Sequence, residues 1–298
     1  MRRNFSRARV VCSSTNTGYG GGINLGVSHA TGDIIVFLNP DAVPEHGWLG
    51  QLILCMQQHG RQFATSRITL ESDRERLNSG GNSIHYLGIS FCRGLNAPRW
   101  TYDAVELVSG ASGAACAISR RLFDRIGGFD ASFFMYHDDV DLSLRALLAG
   151  ERCLYVPDAV VAHDYTLTVP PIKWGWIEAY RYAVLLKTFR FRTLLLLLPA
   201  LLIIDLVTLG YLAGRGPAFV AAKLGSYVWL LRHIAAIRNG RRRAQAVRAF
   251  SDHQILGVLT DRIPYEQVLS PGVAWFARWL VEPWFRLYRQ LALSIVKW

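Results

Sequence analysis

Acidic residues crowd the segment Tyr136-His137-Asp138-Asp139-Val140-Asp141, where a helix is expected to begin. Three carboxylates within four residues raise one another's pKa, which makes one of them a better general base near neutral pH. Capping and complementing the helix dipole account for one or two acids at such a position. They account less well for a third, beside His137. A second group is Leu38-Asn39-Pro40-Asp41, where an apolar run ends abruptly in a polar turn. That turn delivers Asn39 and Asp41 to the carboxyl edge of a sheet, the edge at which open α/β sheets bind ligands. A carboxylate there, next to a diphosphate, holds Mg2+ or Mn2+ with one or two protein oxygens, phosphate and water completing the shell. By itself Asn-Pro-Asp is also an ordinary turn. His163 follows an apolar strand and Pro157-Asp158, and a lone histidine of this kind is more often structural than a ligand.

These groups need a scaffold, and the first 165 residues have the alternation of a mixed α/β domain. Arg9–Ser13 reads as a short strand, Gly20–Ala30 as a helix and Asp33–Leu38 as a fully buried strand. Pro44–His59 reads as a helix and Ala114–Ile118 as a strand. Ser119 can cap a helix running to Ile126, with Gly127 ending it. Asp138 or Asp139 can cap the next, with Gly150 as its terminator. Cys153–Val156 and Val160–Ala162 are two further strands. Residues 69–105 are rich in Gly, Asn and Arg without clear periodicity, which predicts a long functional excursion on the surface.

After Pro170-Pro171 the character changes, dividing the chain into residues 1–170 and 171–298. Trp174–Phe191 is helical. Leu194–Ala213 is long enough to span a membrane, interrupted only by Pro199, Asp205 and Thr208. Arg190 and Arg192 precede it and Arg215 follows it, so the charges give no preferred orientation. Ala218–Ile237, with Lys223 and Arg232, is too polar to span. A helical hairpin lying in the interface fits better than a clean span. Val273–Trp298 interleaves Trp275, Trp279, Trp284, Phe285, Leu291 and Trp298 with Arg278, Arg286, Arg289 and Lys297, the composition of an amphipathic interfacial helix. A helical subdomain packed on the first portion is the plainer alternative.

Charge supports the division. The formal net charge is +11 over 298 residues, with 51% apolar and 18% charged. Residues 1–170 hold 15 Lys and Arg against 16 Asp and Glu, whereas residues 171–298 hold 18 against 6. The basic excess therefore lies among the longest apolar runs, which suits an anionic membrane surface better than nucleic acid. Five cysteines without metal-type spacing read as scattered thiols of a reducing compartment. Met1-Arg2-Arg3-Asn4-Phe5-Ser6-Arg7 is followed by no apolar stretch of the signal-peptide kind.

The groups also occur in a recognisable order. Asn16-Thr17-Gly18-Tyr19-Gly20-Gly21-Gly22-Ile23-Asn24-Leu25-Gly26, then Ala30-Thr31-Gly32-Asp33 and Leu38-Asn39-Pro40-Asp41, resembles the donor half of family 2 glycosyltransferases, especially their bacterial rhamnosyltransferase-like branch. Val108-Ser109-Gly110-Ala111-Ser112-Gly113-Ala114-Ala115, then Ile126-Gly127-Gly128-Phe129-Asp130, resembles the acceptor half. Asp138-Asp139-Val140-Asp141-Leu142-Ser143-Leu144-Arg145 is similar to that family's acidic helix start, and Tyr155-Val156-Pro157 with His163 to its closing strand. The resemblance covers roughly residues 9–190.

It implies a GT-A type fold, with a mixed, mostly parallel sheet flanked by helices and a helical, membrane-associated region behind it. It further implies inverting transfer of a sugar, a deoxyhexose such as rhamnose, from a nucleotide-diphosphate donor to a glycan or polyprenyl-linked acceptor. Asp41 and His163 would contact Mg2+ or Mn2+, Asp139 would be the general base, and Asp138 and Arg145 would position acceptor and base. Asn16, Asn24, Asn39 and Gly110 would lie among the substrate contacts. The expected place of work is the cytoplasmic face of a membrane, bound peripherally or in the interface, with no nucleic acid as partner. The family usually begins with a strand-helix-strand unit that binds the nucleotide, and this sequence starts at about the third strand. An exposed edge near Val10–Ser13 is the expected consequence, unless the start is displaced or a partner chain or second copy completes the sheet; loss of donor binding is the third alternative. The alternative is a catalytically incompetent relative acting as a membrane-bound partner subunit.

Overall fold

The computed structural model describes residues 8–166 and 168–298; the reading of Met1–Arg7 lies outside them. Seven strands form the main sheet: β1 (Ile34–Leu38), β2 (Ala42–Pro44), β3 (Phe63–Leu70), β4 (Asp73–Ser79), β7 (Glu106–Val108), β8 (Ala115–Ser119) and β9 (Cys153–His163). The order is β1-β8-β3-β9-β2, with β4 also on β3 and β7 also on β9. A separate pair joins β5 (Asn82–Ile84) to β6 (Ser90–Cys92).

The expected mixed sheet is present, but it is not mostly parallel. Only β3 and β9 run parallel; β1–β8, β3–β8, β3–β4, β2–β9 and β7–β9 are all antiparallel. A parallel pair needs a long crossover, and the connection from β3 to β9 supplies one that carries α3 and α4.

Helix α1 (Gly18–His29), α3 (Arg120–Ile126) and α4 (Asp138–Leu148) enclose one apolar cluster against the sheet with Phe37, Phe63, Phe123 and Phe129. Helix α2 (Trp48–Gln58) encloses a second with Ile68, Leu154 and Val161. Lying between these layers, β3 is buried at all eight positions. Its Arg67 is tolerated there because it donates to Asp103 Oδ1 at 2.6 Å and to the Tyr102 carbonyl at 2.9 Å.

The cap of α3 is as expected: Leu122 N donates to Ser119 Oγ at 3.1 Å and Gly127 closes the helix in the left-handed region. Several other expectations need correction. Arg9–Ser13 is irregular and pairs with no described strand, so the exposed edge is not there. Strand β1 is half-buried in alternation rather than fully buried, because it ends the strand order with only β8 beside it. The helix expected from Pro44 starts at Trp48, since Ala42–Pro44 pairs with β9. The two strands expected within 153–162 are one, β9, which skips from Val156 to Val160 in its register with β3.

The remaining helices are α5 (Pro171–Thr188), α6 (Phe191–Ala213), α7 (Pro217–Arg232), α8 (Ile234–Ala246), α9 (Asp252–Val258), α10 (Pro271–Leu280) and α11 (Glu282–Ile295). They build the third cluster, and it includes Ile84, Tyr86 and Leu87 together with Val140, Leu144 and Leu148 of α4. Residues 69–105 are therefore not a surface excursion throughout. The stretch around Tyr86 is threaded beneath the C-terminal helices, with Tyr86 N donating to the Thr260 carbonyl at 3.0 Å and Tyr86 OH to the Phe285 carbonyl at 3.1 Å. Gly88 has φ +82°, and a Cβ there would press on Arg181 and Leu185 of α5 at 3.0 Å.

Helix α6 is apolar and long enough to cross a membrane by length and composition, with mean hydropathy 2.3 and 28% of that window buried. Its Leu195, Leu198, Leu202 and Leu206 are exposed, a spacing that places them on one stripe. Trp275 and Trp279 of α10 and Leu287 and Leu291 of α11 are exposed too. Helix α11 packs on both α6 and α10, and Tyr288 OH donates to the Leu196 carbonyl. Behind the stripe, Asp205 of α6 joins Glu178, Arg181 and Lys223 in a buried ion network.

Candidate active site

The acidic helix start is built by an unusual backbone. Tyr136 and His137 are both left-handed, at φ 69° and 60°, a conformation that costs non-glycine residues energy and is held by surrounding structure. His137 stands at the cap position of α4, and its Nε2 donates to the Gly88 carbonyl at 3.0 Å. Neither Asp138 nor Asp139 caps the helix as expected.

The three acids have three different fates. Asp141 is compensated: it pairs with Lys187 and with Arg145 at 2.7 Å. Asp138 is 4% exposed, and its Oδ1 is buried with no hydrogen-bond partner. Burial, and next the charge of Asp139, push its carboxyl up to about 8. Asp139 is half-buried and accepts three N–H bonds: from Asn82 Nδ2 at 2.9 Å, Gly113 N at 3.1 Å and Val140 N at 2.8 Å. Burial raises its pKa as well, while these donors and His137 oppose the rise. Two adjacent carboxyls thus differ: Asp138 is pushed up to about 8 with no donor to its Oδ1, whereas Asp139 has three N–H donors that favour and orient its charged form.

The other group lies at the β1–β2 turn. Ala42 pairs in register with His163, so Asp41 and the end of β9 come together, with His163 Nε2 3.3 Å from Asp41 Oδ1. His163 Nδ1 donates to Asn78 Oδ1 at 2.9 Å, and Asn78 Nδ2 points to Cys92 Sγ at 3.9 Å. One carboxylate oxygen and one imidazole nitrogen therefore lie side by side, a donor pair of the kind that can contribute to a divalent-ion shell. Among the described residues no cluster of three or more His, Cys, Asp or Glu could hold a metal. Asp41 and His163 therefore fit a hard divalent ion only if phosphate and water complete its shell.

The two groups share a wall. Asn39 N donates to the Ala114 carbonyl at 2.9 Å while Gly113 N donates to Asp139. One dipeptide thus fixes the turn of Asp41 on one side and the carboxylate of Asp139 on the other.

The other residues expected at the substrate make the following contacts within the fold. Asn24 clamps Phe129, donating to its carbonyl at 2.9 Å and accepting from its N–H at 3.0 Å. Arg145 is spent on Asp141 and on the Ile126 carbonyl at 2.6 Å. Asp138 lies beneath Gly20, whose missing Cβ would stand 3.3 Å from Asp138 Oδ1. Gly110 permits close approach, because its carbonyl accepts from Asn82 N at 2.8 Å and a Cβ would meet Ile84 at 2.8 Å. Asn16 stays exposed and accepts from Gly18 N at 3.0 Å, shaping the entry to α1. Asn39 shapes its turn through its backbone.

Three contributors escape the sequence reading: Asn78 and Asn82, and Tyr19, whose hydroxyl donates to the Gly113 carbonyl at 2.6 Å. The asparagines flank Ser79-Gly80-Gly81, an Asn-x-x-x-Asn pattern inside the stretch expected to be a surface excursion.

The sequence pattern described as Glycosyl transferase family 2 matches residues 1–127. Rhamnosyltransferase WbbL of Escherichia coli (strain K12) is 29% identical over 183 residues, 55% of this chain and 69% of that protein. The N-acetylglucosaminyl-diphospho-decaprenol L-rhamnosyltransferase of Mycobacterium tuberculosis (strain ATCC 25618 / H37Rv) is 28% identical over 182 residues, 53% of this chain and 59% of that protein. The matched region is thus under two thirds of the second relative's length. Among solved structures, GalNAc-T7 with UDP, GalNAc and Mn2+ superposes with a TM-score of 0.45 at 16% identity, covering 58% of this chain and 35% of that one.

Proposed function

We propose that this chain, whose residues 1–127 match the Glycosyl transferase family 2 pattern, moves a sugar from a nucleotide-diphosphate donor to a lipid-linked or cell-surface glycan, inverting the anomeric carbon. The observation that carries this reading is the Gly113–Ala114 wall, which holds Asp139 and the Asp41 turn on either side of one strand entry. Asp139 takes the proton of the acceptor hydroxyl as that oxygen bonds to the anomeric carbon from the face opposite the leaving group. The bond to the nucleoside diphosphate breaks, and the diphosphate leaves with its electron pair. Asn82, Gly113 and Val140 aim the carboxylate through their N–H groups. Asp41 and His163 would hold Mg2+ or Mn2+, which when bound neutralises charge on the diphosphate. A deoxyhexose such as rhamnose is the donor sugar that the printed names of the two bacterial relatives favour.

The second half of the reading is peripheral binding at the cytoplasmic face of a membrane. The exposed stripe of α6, α10 and α11 supports it, with exposed Arg190 and Arg192 at the start of α6, Arg278 within α10 and Lys297 after α11. Asp205 ties α6 to α5 and α7, which favours a helix lying on the surface over an independent span.

The test is transfer by the full chain from nucleotide-diphosphate rhamnose to a polyprenyl-linked glycan. The product's anomeric configuration is read, with and without a chelator. Retention of configuration, or full activity after chelation, would remove the mechanism or the metal. Sedimentation with anionic vesicles tests the membrane half. Trp275→Ser with Trp279→Ser should weaken binding at high salt, and unchanged binding would refute the apolar contribution.

A further inference from the structure

A cavity of about 280 Å3 lies between the candidate site and the exposed apolar stripe, walled by Thr168, Pro170, Trp174, Tyr211, Arg215 and Gln267 among others. Its volume is at the low end for small-molecule sites, roughly 300–1,000 Å3. That suits a headgroup and excludes a whole nucleotide sugar. On one side it touches the membrane-facing elements: Tyr211 of α6 donates through its hydroxyl to the Val268 carbonyl, just before α10, at 2.8 Å. On the other it reaches β6, because Gln267 Nε2 donates to the Cys92 carbonyl at 2.7 Å. Cys92 Sγ lies 3.9 Å from Asn78 Nδ2, whose Oδ1 accepts from His163 Nδ1.

The chemistry of this cavity is cationic and rich in donors. Arg215 is exposed, lies over the Phe219 ring at 4.4 Å and donates to Tyr211 OH at 3.1 Å. Among the described residues no carboxylate lies within ion-pair distance of it. Its other guanidinium N–H groups are therefore open to an anion at the cavity mouth. Trp174 contributes a buried indole N–H without a partner, a donor that costs free energy until an acceptor reaches it. Lys173, next in the chain, stands over the Tyr136 ring at 4.2 Å on the side of the acids, also without a carboxylate partner among the described residues. A planar guanidinium beside an unpaired indole N–H is an arrangement that recognises phosphate oxygens.

We propose that this cavity is the subsite for the phosphate of a membrane-embedded, lipid-linked acceptor, seating its diphosphate against Arg215 so that the attached sugar reaches Asp139. The inference rests on the reading of the acceptor as lipid-linked and adds where its phosphate is held. The lipid chain then runs along the exposed stripe of α6 and α10, and the sugar extends past Lys173 toward the Gly113–Ala114 wall.

The test uses the full chain and undecaprenyl diphosphate at a few mole per cent in phosphatidylcholine vesicles. Vesicles matched in charge with phosphatidylglycerol give the second arm. The wild-type protein should bind the diphosphate vesicles at least about 10-fold more tightly than the phosphatidylglycerol ones, since bidentate charge-assisted bonds add to surface attraction. Arg215→Gln should abolish that preference, Arg215→Lys should restore part of it, and binding to phosphatidylglycerol vesicles should change less than about 2-fold. Gln267→Ala should reduce the preference with the fold intact, as read by thermal unfolding. Equal wild-type affinity for both vesicles would make the cavity a general anionic-headgroup contact and overturn the proposal. A preference that survives in Arg215→Gln would also overturn it. Because the readout is binding, a protein that transfers no sugar yet shows the preference would sink the enzymatic reading and leave this one standing.

Discussion

Two clusters of buried charge lie in this molecule, and they are built on opposite principles. Among α5, α6 and α7, Glu178 and Asp205 face Arg181 and Lys223, with Arg181 bonded to Glu178 at 2.9 Å and to Asp205 at 2.8 Å. Tyr227 OH donates to the second oxygen of Asp205 at 2.8 Å. Two negative groups meet two positive ones, and Glu178 is held below the usual carboxylate range, since Arg181 and Lys223 outweigh its burial. At the head of α4 the acids outnumber the cations within reach. Asp141 takes Lys187 and Arg145, and what is left for Asp138 and Asp139 is neutral donors or nothing. A compensated cluster fixes architecture. An uncompensated one stores a proton affinity that chemistry can use.

The largest expected effect comes from removing the uncompensated charge. Asp139→Asn keeps shape and most hydrogen bonds but cannot accept a proton, so transfer should fall by about 10²–10⁴-fold with an unchanged melting temperature. Activity near the wild-type level would move the base elsewhere in the segment. Damage to the compensated cluster should do the reverse. Arg181→Met strands Glu178 and Asp205 beside a single cation and should cost about 3–5 kcal/mol in denaturant unfolding. A loss under about 1 kcal/mol would mean that the network is solvated and the contrast false.

Asp138 gives the sharper test. Its carboxyl is ordinarily near 3.8 and sits at about 8 in the folded state. Folding therefore favours the protonated form, and stability falls as pH rises from about 4 to 8. Asp138→Asn should be close to neutral at pH 4 and stabilising by about 2–4 kcal/mol at pH 8. A flat difference across that range would show that Asp138 is not held protonated. The smallest effect belongs to Asn82→Ala, which deletes one of three donors to Asp139. The acid limb of the pH–rate profile should move up by about one unit, the scale of one hydrogen bond to a charged group. A lower rate with an unmoved limb would make Asn82 merely structural.

The sequence revealed local chemistry well and long-range commitments poorly. Ser119 and Gly127 announced α3 because capping acts within four residues. The turn of Asp41 and the strand of His163 were legible as sheet-edge groups, and the register of Ala42 with His163 brings them together. Asn24 and Arg145 were expected at the substrate because the family resemblance implied it. Their partners, Phe129 and Asp141 with Ile126, show only in three dimensions. Residues 69–105 looked solvated because Gly and Asn dominate them. What buries their centre is more than 150 residues further on: Thr260 and Phe285. No window of local periodicity contains that pairing.

The threaded stretch around Gly88 has an evolutionary consequence. Its carbonyl holds His137 at the head of the acidic helix, while its neighbours are gripped by Arg181, Thr260 and Phe285 from the C-terminal helices. The placement of Asp139 thus depends on the C-terminal helices. Lineages of this protein cannot exchange those helices freely to reach a new surface. Any graft that shifts α5 by a fraction of an ångström moves Gly88, then His137, then the carboxylate. Acceptor choice and catalytic geometry should therefore change together over generations, and chimaeras joined near Pro170 should lose rate before they lose solubility.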